Sequence, residues 1–159
     1  LPEPRYPAKI ATTANALVRI AALARPLVVT NGVFDLLHLG HVTYLEQAKA
    51  LGASLVVAVN SDASVRRLGK GDDRPLNTLD DRMAVLAALA CVDLVVPFDA
   101  DTPRDLIVAC APDVLVKGGD YTAATTAGAD DVIRGGGRFV AIPFRHARST
   151  TELLDRIRR

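Results

Sequence analysis

The chain has 159 residues, of which half are apolar and only 4% aromatic, and its formal net charge is +1. This length fits one domain that buries roughly 70% of its unfolded surface. The near-neutral charge gives no electrostatic reason to expect nucleic acid or a membrane surface as a partner. No apolar stretch approaches the roughly 20 residues of a spanning helix, and no signal-peptide pattern is visible. Because Cys91 and Cys110 lie in apolar runs, we expect reduced, buried thiols and a cytoplasmic enzyme.

The first 26 residues are predicted to form a tail and an edge helix. Prolines at positions 2, 4 and 7 predict a loose, extended tail. The apolar spacing over Ala8–Ala24 then predicts a helix that ends before Pro26. We expect residues 27–159 to form the functional domain, in a chain that is a single domain overall.

The stretch Leu27–Leu51 carries the strongest local signal. An apolar strand, Leu27–Thr30, precedes an Asn-Gly turn, and a helix follows from Val42. Backbone N–H groups at such a helix start lack intrahelical partners and favour a phosphate ligand. Gly40 is expected to let a phosphate approach the backbone, because no Cβ stands in the way.

The rest of the chain alternates strands with helices. Asp62, Thr78 and Thr102 are read as helix N-caps. Strands are predicted at 53–60, 92–98, 113–116 and 138–143, and helices at 62–68, 79–90, 102–110 and from 149 onward, with a further helix towards the end of 123–133. This alternation predicts an α/β fold: a Rossmann-like, doubly wound, five-stranded parallel sheet with helices on both faces.

Polar clusters follow four of these strands, where each strand ends. They lie at 30–41, 60–62, 117–121 and 145–151. In an open parallel sheet, ligands bind outside the carboxyl ends of the strands, at the point where the strand order reverses. We therefore expect the four clusters to converge on one site.

His38 and His41 are the candidate catalytic groups of that site. Imidazole N–H groups at a helix start can bind phosphate oxygens and stabilise the charge that grows on them during displacement at phosphorus. For either histidine considered alone, the alternative is a structural role, as a loop or core residue whose ring hydrogen bonds are made within the protein. The pair, with glycine between them, favours the phosphate role.

At this point the sequence resembles a known family. Residues 32–41, GVFDLLHLGH, are similar to the GxFDxxHxGH motif of the cytidylyltransferase-like nucleotidyltransferases, and Ser149-Thr150-Thr151 resembles the motif that closes the same site. The segments 59–62, 74–75 and 116–121, with Arg82, are most similar to the D-glycero-D-manno-heptose 1-phosphate adenylyltransferases. That activity is often fused to a sugar kinase. The chain has no kinase-sized segment, so the stand-alone form is expected.

The resemblance implies a reaction. Heptose 1-phosphate attacks the α-phosphorus of ATP, which gives ADP-heptose and pyrophosphate for the lipopolysaccharide inner core. Mg²⁺ is implied as a cofactor bound through the nucleotide phosphates, with no dedicated protein metal site. ATP and heptose 1-phosphate are the implied partners, without nucleic acid or membrane, and a homodimer or higher homo-oligomer is expected.

The same resemblance assigns roles to individual residues. The implied catalytic residues are His38, His41 and Lys70. The implied nucleotide-binding residues are Asn31, Gly32, Val33, Phe34, Gly40, Lys117, Gly119, Asp120, Ser149, Thr150 and Thr151. The implied sugar-phosphate-binding residues are Asp35, Asp62, Arg74 and Arg82.

Each side chain outside the histidine motif also has a structural alternative. Asp62 could only cap a helix, Arg82 could be a solvated or intersubunit residue, and Lys70 could be a mobile surface charge. Phe144 is a departure, because glycerol-phosphate cytidylyltransferases carry arginine at that position. The competing functions are a glycerol-phosphate or ethanolamine-phosphate cytidylyltransferase and, from another class, an inactive nucleotide-binding module.

Overall fold

Five parallel strands form one sheet in the computed structural model, which describes residues 1–144 and 150–157. The strands are β1 (Leu27–Gly32), β2 (Ser54–Asn60), β3 (Leu94–Phe98), β4 (Val114–Gly118) and β5 (Arg138–Ile142). Their order across the sheet is β3-β2-β1-β4-β5. The order reverses between β1 and β4, so the switch point lies there, and the predicted doubly wound sheet is confirmed.

The central strands are buried on both faces, which explains their continuous apolar sequences. All seven residues of β2 are buried. In the register, β1 pairs with β2 from Leu27 opposite Ser54 to Gly32 opposite Val59. The carboxyl ends of β1 and β2 therefore lie side by side.

Helices cover both faces of the sheet. The helices are α1 (Ala16–Ala21), α2 (Leu39–Lys49), α3 (Asp62–Arg67), α4 (Leu79–Ala87), α5 (Arg104–Cys110), α6 (Ala129–Arg134) and α7 (Thr150–Ile157). One core cluster joins Leu45 of α2 and Leu86 of α4 to Val57 of the sheet. The other joins Ile20 of α1 and Ile107 of α5 to the opposite face.

A buried polar contact fixes α2 against the switch point. The hydroxyl groups of Tyr44 and Thr30 are hydrogen-bonded to each other, and the Tyr44 hydroxyl also donates to the Val116 carbonyl at 3.3 Å. Because these partners lie on β1 and β4, the middle of α2 is held against the switch point.

The predicted helix over Ala8–Ala24 is wrong for most of its length. Only the six residues of α1 are α-helical, and a short 3₁₀ helix precedes them at Tyr6–Lys9. Thr12 and Asn15 exchange side-chain-to-backbone hydrogen bonds in a turn, which competes with helix formation. Ile10 bridges to Val95 in parallel. The chain is thus held against β3 at Ile10 and Ala11, and the preceding 3₁₀ helix contacts α4, whereas residues 1–5 are exposed.

Two of the predicted helix caps are also corrected. Ser61, not Asp62, is the N-cap of α3, and its side chain accepts from the Ser64 N–H. Thr102 does not cap α5, which follows Pro103 without a side-chain cap bond. The Thr78 cap is confirmed, since its hydroxyl accepts from the Asp81 N–H at 3.3 Å.

Both cysteines are buried and free, as expected. Within the described part of the chain, the helices are too short or too polar for any of them to cross a membrane.

Candidate active site

A pocket of about 530 Å³ opens at the carboxyl edge of the sheet. It contains the two histidines, Lys70 and both described residues of the closing motif. Its lining comprises Val33, Phe34, Asp35, His38, His41, Lys70, Arg74, Phe144, Thr150 and Thr151. A volume in this range is typical of a small-molecule site. The sequence-predicted residues outside this lining are Asn31, Gly32, Gly40, Asp62, Arg82, Lys117, Gly119 and Asp120.

His38 is the N-cap of α2. Its Nδ1 accepts a hydrogen bond from the Gly40 N–H at 3.1 Å. A neutral imidazole that accepts at Nδ1 carries its proton on Nε2, so the ring offers an Nε2–H donor. The local hydrogen bond at the helix start therefore fixes the tautomer of His38.

The expectation for Gly40 is corrected. Its N–H is bonded to His38 in this structure rather than unpaired. A Cβ at position 40 would lie 3.0 Å from both Cε1 and Nδ1 of His38. Any larger residue would displace the imidazole ring of His38, which itself lines the pocket.

His41 stacks on His38. The ring centroids are 3.9 Å apart and the planes are inclined by 29°. Burial and the neighbouring His38 lower the pKa of His41 to about 4, although the Leu36 backbone acts in the opposite direction. The buried Nδ1 of His41 has no hydrogen-bond partner of acceptable geometry among the described residues. His41 is therefore neutral at pH 7 and offers one N–H donor.

The Phe34 ring lies beside His41 and over Gly32. Its centroid is 5.3 Å from that of His41, and a Cβ on Gly32 would lie 2.9 Å from Cε2 of Phe34. Phe34 itself has a φ of 51°, which non-glycine residues rarely adopt. Gly32 thus makes room for an aromatic ring that packs against the catalytic candidate.

Lys117 lies at the switch point. Its ammonium group donates to the Asn31 carbonyl at 3.2 Å and contacts Asn31 Oδ1 at 3.4 Å. It also lies 5.2 Å from the centroid of the Tyr121 ring. Burial and the positive charge of Lys70 lower the pKa of Lys117 to about 8. The positive charges of the two lysines therefore repel each other, and a bound anion would relieve that repulsion.

Phe144 covers the glycines that follow β4. A Cβ on Gly118 would lie 2.8 Å from Cζ of Phe144, and one on Gly119 would lie 3.2 Å from Cε2. The Gly119 N–H donates to the Ile142 carbonyl at 2.9 Å, so this N–H belongs to the sheet edge rather than to a ligand. Asp120 is exposed beyond it. Sequence reasoning noted Phe144 only as a departure and missed its place in the pocket wall.

Asp35 forms a buried ion pair with Arg74. Its carboxylate accepts from Arg74 Nε at 2.6 Å, and the two side chains are 0% and 9% exposed. The backbone N–H groups of Leu76 and Asn77 also donate to this carboxylate. Burial acts to raise the pKa of Asp35, but these N–H donors and Arg74 outweigh it and lower the pKa. This geometry favours a framework role for Asp35 over the expected contact with sugar hydroxyls.

Arg82 is also buried, which contradicts the alternative of a solvated helix residue. Its side chain is 0% exposed, and it donates to Asp62 Oδ1 at 2.7 Å. Further bonds run to the carbonyl groups of Val33 at 2.8 Å and Asn77 at 3.0 Å. Arg82 therefore faces protein groups rather than the pocket surface, whereas its partner Asp62 keeps 31% of its side chain exposed.

The closing helix α7 contacts the histidine loop. The Thr150 hydroxyl donates to the Leu36 carbonyl at 3.3 Å, and Thr151 lines the pocket. Ser149 and residues 145–148 of the predicted polar cluster lie outside the described residues. Within the described ranges, His, Cys, Asp and Glu side chains form no group of three or more that could hold a metal ion.

Comparison with known proteins agrees with this geometry. Residues 29–153 match the family model described as Cytidylyltransferase-like. The chain belongs to this family. The resemblance inferred from GVFDLLHLGH is thereby confirmed.

Curated relatives extend the match over almost the whole chain. One is the D-beta-D-heptose 1-phosphate adenylyltransferase of Bordetella bronchiseptica, which is 60% identical over 97% of this chain and 96% of its own length. The Bifunctional protein HldE of Shewanella denitrificans is 58% identical over 82% of this chain. The match covers only 27% of that longer protein.

Solved structures share the fold. The lipopolysaccharide core biosynthesis protein of Thermoplasma volcanium has a TM-score of 0.63 at 28% identity, over 77% of this chain and 98% of its own. A pantoate-beta-alanine ligase of Francisella tularensis has a TM-score of 0.61 at 13% identity, over 89% of this chain and 68% of its own. The second likeness concerns the fold alone.

Asn77 is the clearest residue that sequence reasoning missed. Its side-chain amide donates to the Asp35 carbonyl at 2.6 Å, while its own carbonyl accepts from Arg82. Its position in the sequence, between Arg74-Pro75 and the Thr78 cap, could have indicated this role, because an amide side chain in a turn can bond to nearby backbone.

Proposed function

We propose that this protein is an adenylyltransferase that joins ATP to D-glycero-D-manno-heptose 1-phosphate and releases pyrophosphate. The observation that carries the proposal is the convergence of His38, His41, Lys70 and Thr150 on one pocket, in a chain 60% identical to a heptose 1-phosphate adenylyltransferase over nearly its whole length. The product, ADP-heptose, would serve the lipopolysaccharide inner core.

The chemistry requires little proton transfer. An oxygen of the sugar phosphate forms a bond to the α-phosphorus of ATP, while the bond from that phosphorus to the α,β-bridging oxygen breaks and this oxygen leaves with pyrophosphate. Because the attacking oxygen is already anionic, positioning and charge stabilisation supply most of the rate enhancement.

The histidines are assigned to the non-bridging oxygens of the α-phosphate. His38 presents its Nε2–H donor because Nδ1 is occupied by Gly40, and the neutral His41 ring stacks beside it. Fixed neutral donors of this kind stabilise a developing charge without reorganising during the reaction.

Cationic and hydroxyl groups are assigned to the outer phosphates. Lys70 lines the pocket on an exposed loop and approaches the leaving group. Thr150 and Thr151, together with Ser149 by its motif, bind the β- and γ-phosphates at the start of α7. Lys117, Asn31 and the residues up to Asp120 border the nucleoside end, where Tyr121 lies beneath the Lys117 ammonium group.

The sugar phosphate is assigned to the part of the pocket wall that Arg74 forms, with Asp62 as a candidate contact outside the pocket lining. Arg74 lines the pocket while paired with Asp35, and the partly exposed Asp62 carboxylate can accept from a sugar hydroxyl. Asp35 and Arg82 are assigned to the framework behind these groups because their side chains have no exposed surface.

Magnesium is proposed to enter with the nucleotide. Mg²⁺ prefers oxygen ligands and usually retains water when it is bound through substrate phosphates. When bound, it would neutralise phosphate charge beside Lys70 and Thr151. The described residues offer carboxylates near the pocket but no group of three metal-ligating side chains, so phosphate oxygens would provide most of its ligands.

Two further expectations accompany this proposal. A homodimer or larger homo-oligomer follows from family resemblance and is tested by light scattering. A cytoplasmic location is proposed because the reaction consumes ATP and both cysteines are free and buried.

A substrate panel tests the proposed activity. Pyrophosphate release is measured with each of ATP, CTP and GTP against heptose 1-phosphate, glycerol 3-phosphate and ethanolamine phosphate. The proposal expects turnover with ATP and heptose 1-phosphate at least about 100-fold above the other pairs. Preferred turnover of CTP with an alcohol phosphate would replace it with a cytidylyltransferase, and turnover with no pair would leave a nucleotide-binding module.

A further inference from the structure

Arg82 joins three separate segments around the active-site turn. From α4 it donates through Nη1 to the Val33 carbonyl, through Nε to the Asn77 carbonyl and through Nη2 to the Asp62 carboxylate. The planar guanidinium group holds its donors in fixed directions, so one residue fixes three acceptors relative to one another. These partners give Arg82 a structural role that a solvated helix residue would not have.

The turn that Arg82 holds is conformationally strained. Phe34 follows Val33 and has a φ of 51°, a region that bulky residues rarely adopt without support. Arg82 binds the carbonyl before Phe34, and the Asn77 amide binds the Asp35 carbonyl after it at 2.6 Å. The peptide group before Phe34 and the one after Asp35 are therefore both held by residues outside the pocket.

The position of the Phe34 ring follows from this turn. The side chain is 7% exposed and packs over Gly32, where a Cβ would lie 2.9 Å from the ring. The ring also lies beside the His41 ring, with centroids 5.3 Å apart. A change in the turn would move the ring and, with it, the surroundings of the His41 imidazole.

We propose that Arg82 is a positioning residue, which sets the orientation and desolvation of His41 through the Val33 carbonyl and the Phe34 ring. This inference rests on the proposed function for its kinetic consequence only. The structural link from Arg82 to His41 is testable whether or not the enzyme uses heptose 1-phosphate.

The first test is the titration of His41 in the full chain. Histidine ring nitrogens are followed by NMR in the wild type, Arg82→Gln and Arg82→Lys, with His41 assigned from His41→Gln. The proposal expects the pKa of His41 to rise by about one unit or more in both variants, because the displaced ring admits water. Arg82→Lys retains the positive charge but lacks the planar set of guanidinium donors. It should therefore not restore the wild-type pKa of His41.

The second test separates turnover from binding. In Arg82→Gln, kcat should fall about 10- to 100-fold while KM for ATP stays within about threefold, because the affected group acts mainly in the transition state. Arg104→Gln is the matched control, since it removes an exposed bidentate pair with Asp131, at 2.8 and 2.9 Å, on a helix outside the pocket. It should leave kcat and the His41 titration unchanged.

A double-mutant cycle identifies the route. Phe34→Leu removes the ring, so Arg82→Gln should have little further effect on the His41 pKa in the Phe34→Leu background. If Arg82→Gln does not fold, Asn77→Ala takes its place. Asn77 is half-buried and binds the Asp35 carbonyl on the other side of the turn. A wild-type His41 titration in folded Arg82 and Asn77 variants, or additive effects with Phe34→Leu, would overturn the proposal.

Discussion

The rings of His38 and His41 stack with their centroids 3.9 Å apart, at the start of α2 and on the wall of the pocket. The Gly40 N–H occupies Nδ1 of His38, and burial holds His41 in its neutral form. The two imidazoles, of which His41 is neutral, are thus fixed side by side before any phosphate arrives. This preorganisation is the basis of the proposed catalysis.

Loss of either ring should reduce turnover more than stability. We expect His41→Ala and His38→Ala each to lower kcat by about 100-fold or more, because each removes a donor aimed at the α-phosphate. Steady-state pyrophosphate release and thermal unfolding are measured on the same samples. If His41→Ala kept a near-normal rate, the assigned role would be refuted.

The free energy of unfolding should depend on pH through His41. Its pKa is about 4 in the folded protein against 6.5 for an unperturbed histidine, so the unfolded chain binds a proton first as the pH falls. This contribution to stability is fully present above about pH 6.5 and is lost towards pH 4, by about 3 kcal/mol at most. Urea unfolding between pH 7 and 4.5 checks the slope, and His41→Gln should flatten it. An equal slope in both proteins would contradict the burial of a neutral ring.

ATP affinity should fall as Lys117 loses its proton. Its pKa is about 8, so raising the pH from 7 to 9 neutralises a cation at the nucleotide end of the site. Calorimetric titration with ATP should show weaker binding over this range in the wild type. In Lys117→Arg the charge persists, and the pH dependence near 8 should disappear. Lys49→Met, which removes a lysine that pairs with Asp93 outside the pocket, should retain the wild-type pH profile.

The Asp35–Arg74 pair should dominate the stability of the loop that carries Lys70. Asp35→Asn leaves the Arg74 charge buried without its partner, which typically costs about 3–5 kcal/mol. Chemical denaturation measures the loss. The comparison variant is Arg25→Gln, whose pair with Asp113 is about half exposed and should contribute far less. Similar losses in the two variants would show that Asp35 does not have this framework role.

The sequence predicted the sheet well because its signals are local and repeated. The seven-residue apolar strand β2 and the Thr78 cap are readable from composition and spacing alone. The N-terminal helix failed because Thr12 and Asn15 form a turn and Ile10 pairs with Val95, a residue distant in sequence. Apolar spacing does not reveal such a partner.

The sequence predicted which residues belong to the site, but not which of them face the pocket and which pair behind it. His38, His41, Lys70 and Thr150 meet on one pocket as their motifs indicated. Asp35 and Arg82 were expected at the substrate, yet their charges are satisfied by Arg74, Asp62 and backbone groups behind the pocket. Residue type and position identify a charged side chain, whereas burial and partner choice depend on the folded chain.

The most direct test of the proposed function follows the oxygen atoms of the sugar phosphate. Heptose 1-phosphate labelled with ¹⁸O at its non-bridging oxygens is incubated with ATP and the enzyme, and the products are analysed by mass spectrometry. If the sugar phosphate attacks the α-phosphorus, ADP-heptose carries all of the label and pyrophosphate carries none. Labelled pyrophosphate, or the absence of ADP-heptose while ATP is consumed, would contradict adenylyl transfer to heptose 1-phosphate.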